Sequence, residues 1–353
     1  MSRRMVLLTW GNSNPRTAKT ATGLLRYCGD ECLAVLDPDK AGMTAQECLE
    51  TGGDTPIVAS LSEVDSPRTL VIGIAPPGGK IPSNWRAVIL EAIASGMDVL
   101  SGLHDFLSDD QEIAAAAQAA GVTITDVRKN HFKSIATRTQ LNSTCCRIHT
   151  VGHDCSVGKM VVSLEIARGL QRRGRDAHFV ATGQTGIMVS GAGLPIDCIV
   201  SDFVSGAAES LVLDSQEHEI IVVEGQGSLV HPSYSAVTLG LLHGTQPHGL
   251  VFVFEAGRTT VGGLEHIPLP SIAEQIQLFE IMGGIYQPCR CIGIAMNGRR
   301  LSPESAALAA KELEDNLALP VVDVIRDGPE RLLDAVETFC DSGSWQLPAD
   351  PKT

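Results

Sequence analysis

Residues 152–160 read Gly152-His153-Asp154-Cys155-Ser156-Val157-Gly158-Lys159-Met160, and this stretch decides the fold class. An apolar run at 148–151 precedes it and an amphipathic stretch at 158–173 follows it, which predicts a strand, a loop and a helix. Glycines let successive backbone N–H groups point inward, the helix N-terminus adds partial positive charge, and Lys159 adds a full charge. The stretch therefore predicts a phosphate-binding loop, with an ordinary glycine-rich turn as the alternative.

The loop departs from the usual GxxxxGK[ST] spacing in two ways. Five residues separate Gly152 from Gly158, and Met160 stands where a hydroxyl would bind Mg²⁺. We therefore expect the loop to bind a phosphate group without a metal ion.

Short apolar runs alternate with helical patterns along the whole chain of 353 residues. This alternation predicts parallel sheets, because parallel strands need crossover helices. The pattern weakens between 126 and 147, which predicts a domain boundary there. We predict an α/β protein with two domains: an N-terminal Rossmann-like parallel sheet over 1–135 and a C-terminal P-loop-like doubly wound parallel sheet over 136–353.

The N-terminal domain lacks the glycine pattern of a dinucleotide-binding fold. Its first predicted turn carries only Gly11, although Asp37 stands where a ribose-binding acid would lie. The turn at 75–80 follows a predicted strand and is either a ligand-binding loop or a rigid Pro-Gly turn. Bound NAD is not expected.

Composition excludes several classes of function. The formal net charge is −14, and no run of Lys and Arg interrupts the acidity, so neither a nucleic acid nor a membrane surface is expected as a partner. The ten cysteines include no CxxC pair and no zinc-ligand spacing, which is typical of reduced thiols. The sequence predicts a cytoplasmic protein that acts on small molecules, holds no metal and forms a homo-oligomer.

Polar residues follow five predicted strands of the C-terminal domain, and ligands bind at the carboxyl ends of strands in such sheets. The first of the five segments is the loop itself. The others hold the candidate ligand-binding residues Thr182, Gln184, Thr185, Glu224, Gln226, Arg258, Asn297 and Arg299.

Several of these residues have more than one interpretation. Glu224 is either a general base, a metal-binding acid or a carboxylate paired with a lysine. His153 and Asp154 act in catalysis or shape the turn by hydrogen bonding. We interpret the histidines at 231–266, including His231, as ordinary loop residues.

The loop and the segments at 224–227 and 297 are similar to those of dethiobiotin synthetase-like P-loop proteins, in which Asn297 would recognise a nucleotide base. The whole chain more closely resembles a two-domain family that includes DgcN-like D-glutamate N-acetyltransferases. The shared motifs are the GxDCxVGKM loop, the Thr182-Gly-Gln-Thr-Gly segment and the Glu224-Gly-Gln-Gly segment.

The second resemblance implies an N-acetyltransferase that moves an acetyl group from acetyl-CoA to an amino acid, D-glutamate in the characterised branch. Direct acyl transfer needs a base, which Glu224 or His153 would supply, and no metal. Residues 152 and 155–160 would hold the diphosphate of acetyl-CoA. Thr182, Gln184, Thr185 and Gln226 would contact the substrate, and Arg258 and Arg299 would bind the carboxylates of an acidic acceptor.

Two alternatives remain open. An ATP-dependent kinase or ligase would hold magnesium with Asp154 and Glu224. A nucleotide or CoA sensor would bind its ligand without turnover. Cys155 as an acyl-carrying nucleophile is a further option, and we favour direct transfer over it.

Overall fold

The computed structural model describes residues 2–74 and 81–346, so the predicted ligand loop at 75–80 lies outside the described residues. The described chain divides into two compact units. The first holds residues up to His131 together with Gln184–Cys198, and the second holds Phe132–Gly183 and the residues from Ile199 onward. The predicted domains, 1–135 and 136–353, placed residues 184–198 in the second domain, whereas the structure assigns this exchanged segment to the first unit.

The first unit contains a six-stranded parallel sheet in the order β3-β2-β1-β4-β5-β6. This is the strand order of a Rossmann fold. The strands are β1 Met5–Leu8, β2 Cys32–Leu36, β3 Ile57–Val58, β4 Thr69–Ile72, β5 Asp98–Ser101 and β6 Ile124–Asp126. The helices are α1 Lys19–Tyr27, α2 Ala45–Leu49, α3 Trp85–Ala94, α4 Gln111–Ala120 and, from the exchanged segment, α6 Gln184–Ser190.

The second unit contains another six-stranded parallel sheet, in the order β14-β13-β10-β7-β9-β8. Its strands are β7 Cys146–Gly152, β8 Ala177–Val180, β9 Ile220–Val223, β10 Gly249–Glu255, β13 Arg290–Asn297 and β14 Val321–Val322, and β11 Thr260–Val261 and β12 Leu264–Pro268 form a separate hairpin. Its helices are α5 Lys159–Arg172, α7 Val204–Leu213, α8 Ser235–Thr245, α9 Ile272–Gly283, α10 Pro303–Leu317 and α11 Glu330–Asp341.

The apolar runs explain both sheets. All four residues of β1 and all four of β9 are fully buried, as expected for parallel strands that are covered on both faces. In the second unit Phe252 of β10 packs edge-on against Phe279 of α9, with ring centroids 6.0 Å apart. The fold class predicted from the sequence is confirmed, with a Rossmann-like first domain and a P-loop second domain, both built on parallel sheets.

The structure adds elements that the sequence patterns did not predict. Helix α8 lies in the region interpreted as glycine-rich loop, and α6 begins inside the segment interpreted as a polar loop at 182–186. Within the described residues, every helix is too short or too polar to cross a membrane.

Candidate active site

The loop at 152–158 joins the central strand β7 to helix α5, as predicted. Gly158 precedes the helix with φ +114°, a backbone conformation that residues with a side chain rarely adopt. A Cβ atom added at Gly152 would lie 2.6 Å from the Val253 carbonyl oxygen, so only glycine lets the loop lie this close to β10. No side-chain cap closes the described N-terminus of α5. Its first N–H groups are therefore placed to bind an anion.

Lys159 is buried behind the loop, with 6% of its surface exposed. Its Nζ donates hydrogen bonds to the Asp154 carbonyl oxygen at 2.8 Å and to the Gly227 carbonyl oxygen at 2.7 Å. In the part of the chain that the structure describes, no carboxylate oxygen lies within 4.0 Å of this ammonium. Burial lowers the pKa of Lys159 to about 8. A negatively charged ligand bound at the loop would neutralise the positive charge of the Lys159 ammonium.

Asp154 shapes the loop and anchors an arginine. Its Oδ2 accepts hydrogen bonds from Arg258 Nη1 at 2.8 Å and from the Gly262 N–H at 2.7 Å, while Oδ1 accepts from the Cys155 N–H at 2.6 Å. Burial raises the pKa of Asp154, but these hydrogen bonds outweigh burial and bring the pKa below its usual value. A carboxylate this well paired is a weak base, so the geometry favours a structural role for Asp154 over a catalytic one.

Glu255 gathers three arginines at the carboxyl end of β10. It is fully buried and pairs with Arg258, with Arg299 through Nε and Oε1 at 2.7 Å, and with Arg300 through Nη2 and Oε2 at 3.2 Å. Together with Asp154 the cluster holds three guanidinium groups and two carboxylates. The excess positive charge suits an acidic substrate. Arg299 is the accessible member of the predicted pair, since 44% of its side chain is exposed, against 13% for Arg258.

His153 does not fit the predicted role of base. Its Nε2 accepts a hydrogen bond from the Glu255 N–H at 3.1 Å, so the lone pair that would take a proton is already used. Burial and the nearby Arg258 lower the pKa of His153 to about 4, and the ring is neutral at pH 7. His153 therefore fixes the start of the loop against β10.

Glu224 lies at the carboxyl end of β9 and organises the neighbouring strand end. Its Oε2 accepts hydrogen bonds from the N–H groups of Thr182 at 3.0 Å and Gly183 at 3.1 Å. Thr182 Oγ1 donates back to the Glu224 carbonyl oxygen at 2.9 Å, and Gln226 Nε2 donates to Thr182 Oγ1 at 3.2 Å. The predicted residues Glu224, Thr182 and Gln226 are thus one network beside Lys159.

Gly225 carries a strong steric requirement. An added Cβ atom would lie 1.6 Å from the Thr150 carbonyl oxygen, on the backbone of β7. We expect Gly225→Ala to lower the free energy of unfolding by about 3 kcal/mol or more, because the segment that follows β9 must move away from the backbone of β7. Denaturant unfolding measures this, with Gly29→Ala as the control, since a Cβ there meets no atom within 4 Å. Equal stability of the two variants would contradict this packing.

Asn297 contacts the loop at the carboxyl end of β13. Its Nδ2 donates a hydrogen bond to the Val157 carbonyl oxygen at 3.2 Å. Val157 is buried, Cys155 and Met160 are half-buried, and Ser156 is exposed with φ +59°. The predicted loop residues and Asn297 therefore lie together, and recognition of a nucleotide base by Asn297 stays a prediction.

Gln184 and Thr185 follow Gly183 directly in the chain and open a helix. Both belong to α6 in the first unit, where Gln184 Oε1 accepts a hydrogen bond from Arg128 Nη2 at 2.8 Å and Thr185 Oγ1 lies 3.1 Å from Thr20 Oγ1. The prediction grouped them with Thr182 because the string 182–186 reads as one polar loop. The structure ends that loop at Gly183, and contact of Gln184 and Thr185 with the substrate stays a prediction.

His231 is a site residue that the sequence analysis missed. It is buried, with Nδ1 accepting from the Ser233 N–H at 3.1 Å and Nε2 3.9 Å from Asp154 Oδ1. His231, Asp154 and Cys155 present ligand atoms within 4.8 Å of one another, which is a possible metal-binding set. Arg258 on Asp154 and the Lys159 ammonium on the Asp154 carbonyl oxygen place positive charge beside this set, and such charge repels a cation.

Two family descriptions match the chain. Residues 134–333 match the P-loop domain described as a domain of unknown function, DUF1611_C, and residues 38–130 match the Rossmann-like domain DUF1611_N. The chain belongs to the DUF1611 family. A crystal structure of a DUF1611 family protein from Anabaena variabilis has 38% sequence identity and a TM-score of 0.88, and the match covers 95% of this chain and 99% of that one.

Two relatives of this DUF1611 protein have a described activity. A D-glutamate N-acetyltransferase from Tritonibacter scottomollicae is 39% identical over 321 residues, which are 90% of this chain and 94% of the relative. A D-glutamate N-acetyltransferase from a Pseudoalteromonas species is 39% identical over 267 residues, which are 75% of this chain and 80% of that relative. The DUF1611 protein is an acyltransferase. The resemblance stated from the sequence motifs is confirmed.

Proposed function

We propose that this protein transfers the acetyl group of acetyl-CoA to the amino group of an acidic amino acid, D-glutamate, without a metal ion. The observation that carries the proposal is the ammonium of Lys159, which is buried at an open helix N-terminus among backbone carbonyl groups. The diphosphate of acetyl-CoA supplies two phosphate groups to such a site. Backbone N–H groups and Lys159 hold them without a bridging cation.

The acceptor end of the site is the arginine cluster on Glu255. A dicarboxylic amino acid brings negative charge that the excess guanidinium group can pair with. Both relatives are D-glutamate N-acetyltransferases, and D-glutamate is an amino acid of this charge class. We assign Arg299 to the substrate carboxylate because its side chain is accessible.

Glu224 is the residue that we assign as the base. Hydrogen bonds from Thr182 and Gly183 fix one carboxylate oxygen, which orients the side chain at the strand end. The acceptor ammonium loses one proton to Glu224, and its nitrogen forms a bond to the acetyl carbon. The carbon–sulfur bond breaks, and the departing CoA sulfur takes the second proton from the nitrogen. We assign the oxyanion to the N–H groups of Gln226 and Gly227, since the Gly225 N–H already donates to Thr150 Oγ1 at 3.0 Å.

Substitution of Arg299 tests the acceptor assignment. We expect Arg299→Gln to raise the KM for D-glutamate about tenfold or more, because a charge-assisted hydrogen bond to the substrate is lost. The KM for acetyl-CoA should not change. Arg331→Gln, at an exposed arginine that pairs with Glu314, is the matched control. An unchanged KM for D-glutamate in Arg299→Gln would remove Arg299 from the acceptor site.

The lowered pKa of Lys159 makes binding depend on pH. In the free protein Lys159 loses its proton near pH 8, and a bound diphosphate stabilises the protonated form. Binding therefore takes up a proton above pH 8, and the dissociation constant for acetyl-CoA should rise with pH by up to about tenfold per unit. Calorimetry between pH 7 and pH 9.5 measures this, and Lys159→Arg, which stays charged, should abolish the dependence. A flat profile in the native protein would contradict the role of Lys159.

We also propose that the protein acts in the cytoplasm. The ten cysteines, all within the described residues, form no disulfide bond, and reduced cysteines are typical of that compartment.

A further inference from the structure

A cavity lies in the second unit at the end of the sheet opposite to the phosphate-binding loop. It has a volume of 680 Å³ and opens where strands β7 and β10 begin, at the ends of these strands that point away from the loop. Arg147 is the second residue of β7, and His248 directly precedes β10. The remaining lining residues that matter here are Arg138, Gln246, Gln287 and Trp345. None of the described residues that line this cavity is Asp or Glu.

Arg147 is a buried cation without a carboxylate partner. Only 3% of its surface is exposed. Its guanidinium donates to neutral acceptors: the Gln246 carbonyl oxygen at 2.8 Å, Gln287 Oε1 at 2.9 Å and the Asn142 carbonyl oxygen at 3.3 Å. Among the described residues no carboxylate oxygen lies within 4.0 Å of it. A buried charge destabilises the fold unless an opposite charge compensates it. The chain has a net charge of −14, yet none of its described carboxylates pairs with Arg147.

Two further donors at the cavity have no acceptor. Gln246 is 7% exposed, and its Nε2 is buried with no hydrogen-bond partner in the described structure. The same holds for Arg138 Nη1, although Nη2 of this residue donates to the His243 carbonyl oxygen at 2.7 Å. The Arg138 guanidinium stacks on the Tyr286 ring at 3.3 Å, which fixes its plane. Buried donors in folded proteins almost always have an acceptor.

His248 adds to this excess of donors. Its Nδ1 accepts a hydrogen bond from the Arg147 N–H at 3.0 Å, and its Nε2 lies 3.0 Å from Arg147 Nη2, which is also a donor. A neutral imidazole has only one acceptor nitrogen, and burial keeps the pKa of His248 far below 7, at about 2. One of the two contacts is therefore a donor facing a donor. The described lining residues therefore carry an excess of donors and no carboxylate.

We propose that this cavity binds a small oxyanion, a carboxylate or a phosphate group, at Arg138, Arg147 and Gln246. The negative charge of the anion compensates the charges of Arg147 and Arg138, which both line the cavity. The site is separate from the phosphate-binding loop, since the two lie at opposite ends of β7.

Trp345 lines this cavity, so a change in its NMR signal indicates binding at the cavity. Its indole Nε1 donates to the Cys340 carbonyl oxygen at 2.9 Å, and its ring packs on His248 with centroids 4.5 Å apart. The three indole N–H resonances of the ¹⁵N-labelled full chain are recorded during titration with inorganic phosphate and, separately, with glutarate, against sodium chloride of equal ionic strength. Trp345→Phe identifies the resonance.

We expect a saturable shift of the Trp345 resonance with at least one of the two anions, and the anion that gives it names the ligand chemistry. The dissociation constant should be unchanged in Lys159→Ala, which excludes the loop as the source, and in the charge control Arg331→Gln. It should rise at least tenfold in Arg138→Gln and in Thr144→Glu, which adds a carboxylate at an exposed lining residue and keeps the test open if the first variant does not fold. No saturable shift with either anion, or equal dissociation constants in the native protein and in both cavity variants, would overturn the proposal.

Discussion

Lys159→Ala is expected to weaken the binding of acetyl-CoA by about tenfold to a hundredfold. The change removes the only full positive charge that the loop residues 152–160 contribute, together with its charge-assisted hydrogen bonds to the diphosphate, each worth about 1.5–3 kcal/mol. The backbone N–H groups at the start of α5 remain, so binding is weakened and not abolished. Calorimetric titration with acetyl-CoA, in the absence of acceptor, measures the dissociation constant directly.

Lys311→Ala is the matched control for this variant. Lys311 lies on the exposed side of α10 in the same unit, and its removal changes the net charge by the same amount. Thermal unfolding of both variants shows whether the loop still folds, because Lys159 also donates to two backbone carbonyl groups. A folded Lys159→Ala protein that binds acetyl-CoA as tightly as the native protein would show that the loop has another role.

Glu224→Gln is expected to lower kcat by about 10²–10⁴-fold and to leave the affinity for acetyl-CoA unchanged, as removal of a general base does. Glutamine keeps an oxygen that can accept from the N–H groups of Thr182 and Gly183, so the strand end keeps its geometry. The variant therefore removes the proton acceptor and little else. Steady-state kinetics with D-glutamate and acetyl-CoA measure the effect.

The pH profile separates a base from a residue that only holds the structure. If Glu224 takes the proton, the rate of Glu224→Gln should rise with pH as the acceptor amine loses its proton in solution. Glu312→Gln, at an exposed glutamate of α10, is the control and should match the native protein. A small loss in kcat, or a loss that is independent of pH, would make Glu224 an anchor of the strand end instead.

Periodicity and β-branched runs made the fold predictable. The predicted strands at 148–151 and 250–255 lie within β7 and β10, and the helical pattern at 158–173 matches α5 within one residue at each end. Short strands at sheet edges carry too few residues for such a pattern, which is why β3 at Ile57–Val58 was missed. Helix α6 was also not predicted, because its glycine and threonine residues are typical of a loop.

The site was predictable where a residue lies next to a strand end. Glu224 follows β9 directly, Asn297 ends β13, and Lys159 opens α5 after the loop that follows β7. The structure brings them to the carboxyl edge of one sheet. His231 was missed because it lies in a loop that folds back to Asp154. Hydrophobic periodicity does not predict the path of a loop. The position of His231 between Gly227 and α8, close after the Glu224 strand end, is the signal that would have found it.

A crystal structure of the protein with acetyl-CoA tests the central claim most directly. We predict that the diphosphate lies in the loop at 152–158, with oxygens within hydrogen-bonding distance of Lys159 Nζ and of the first N–H groups of α5, and with no metal ion between them. A diphosphate bound away from this loop, or bridged to Asp154 by a divalent cation, would contradict the account.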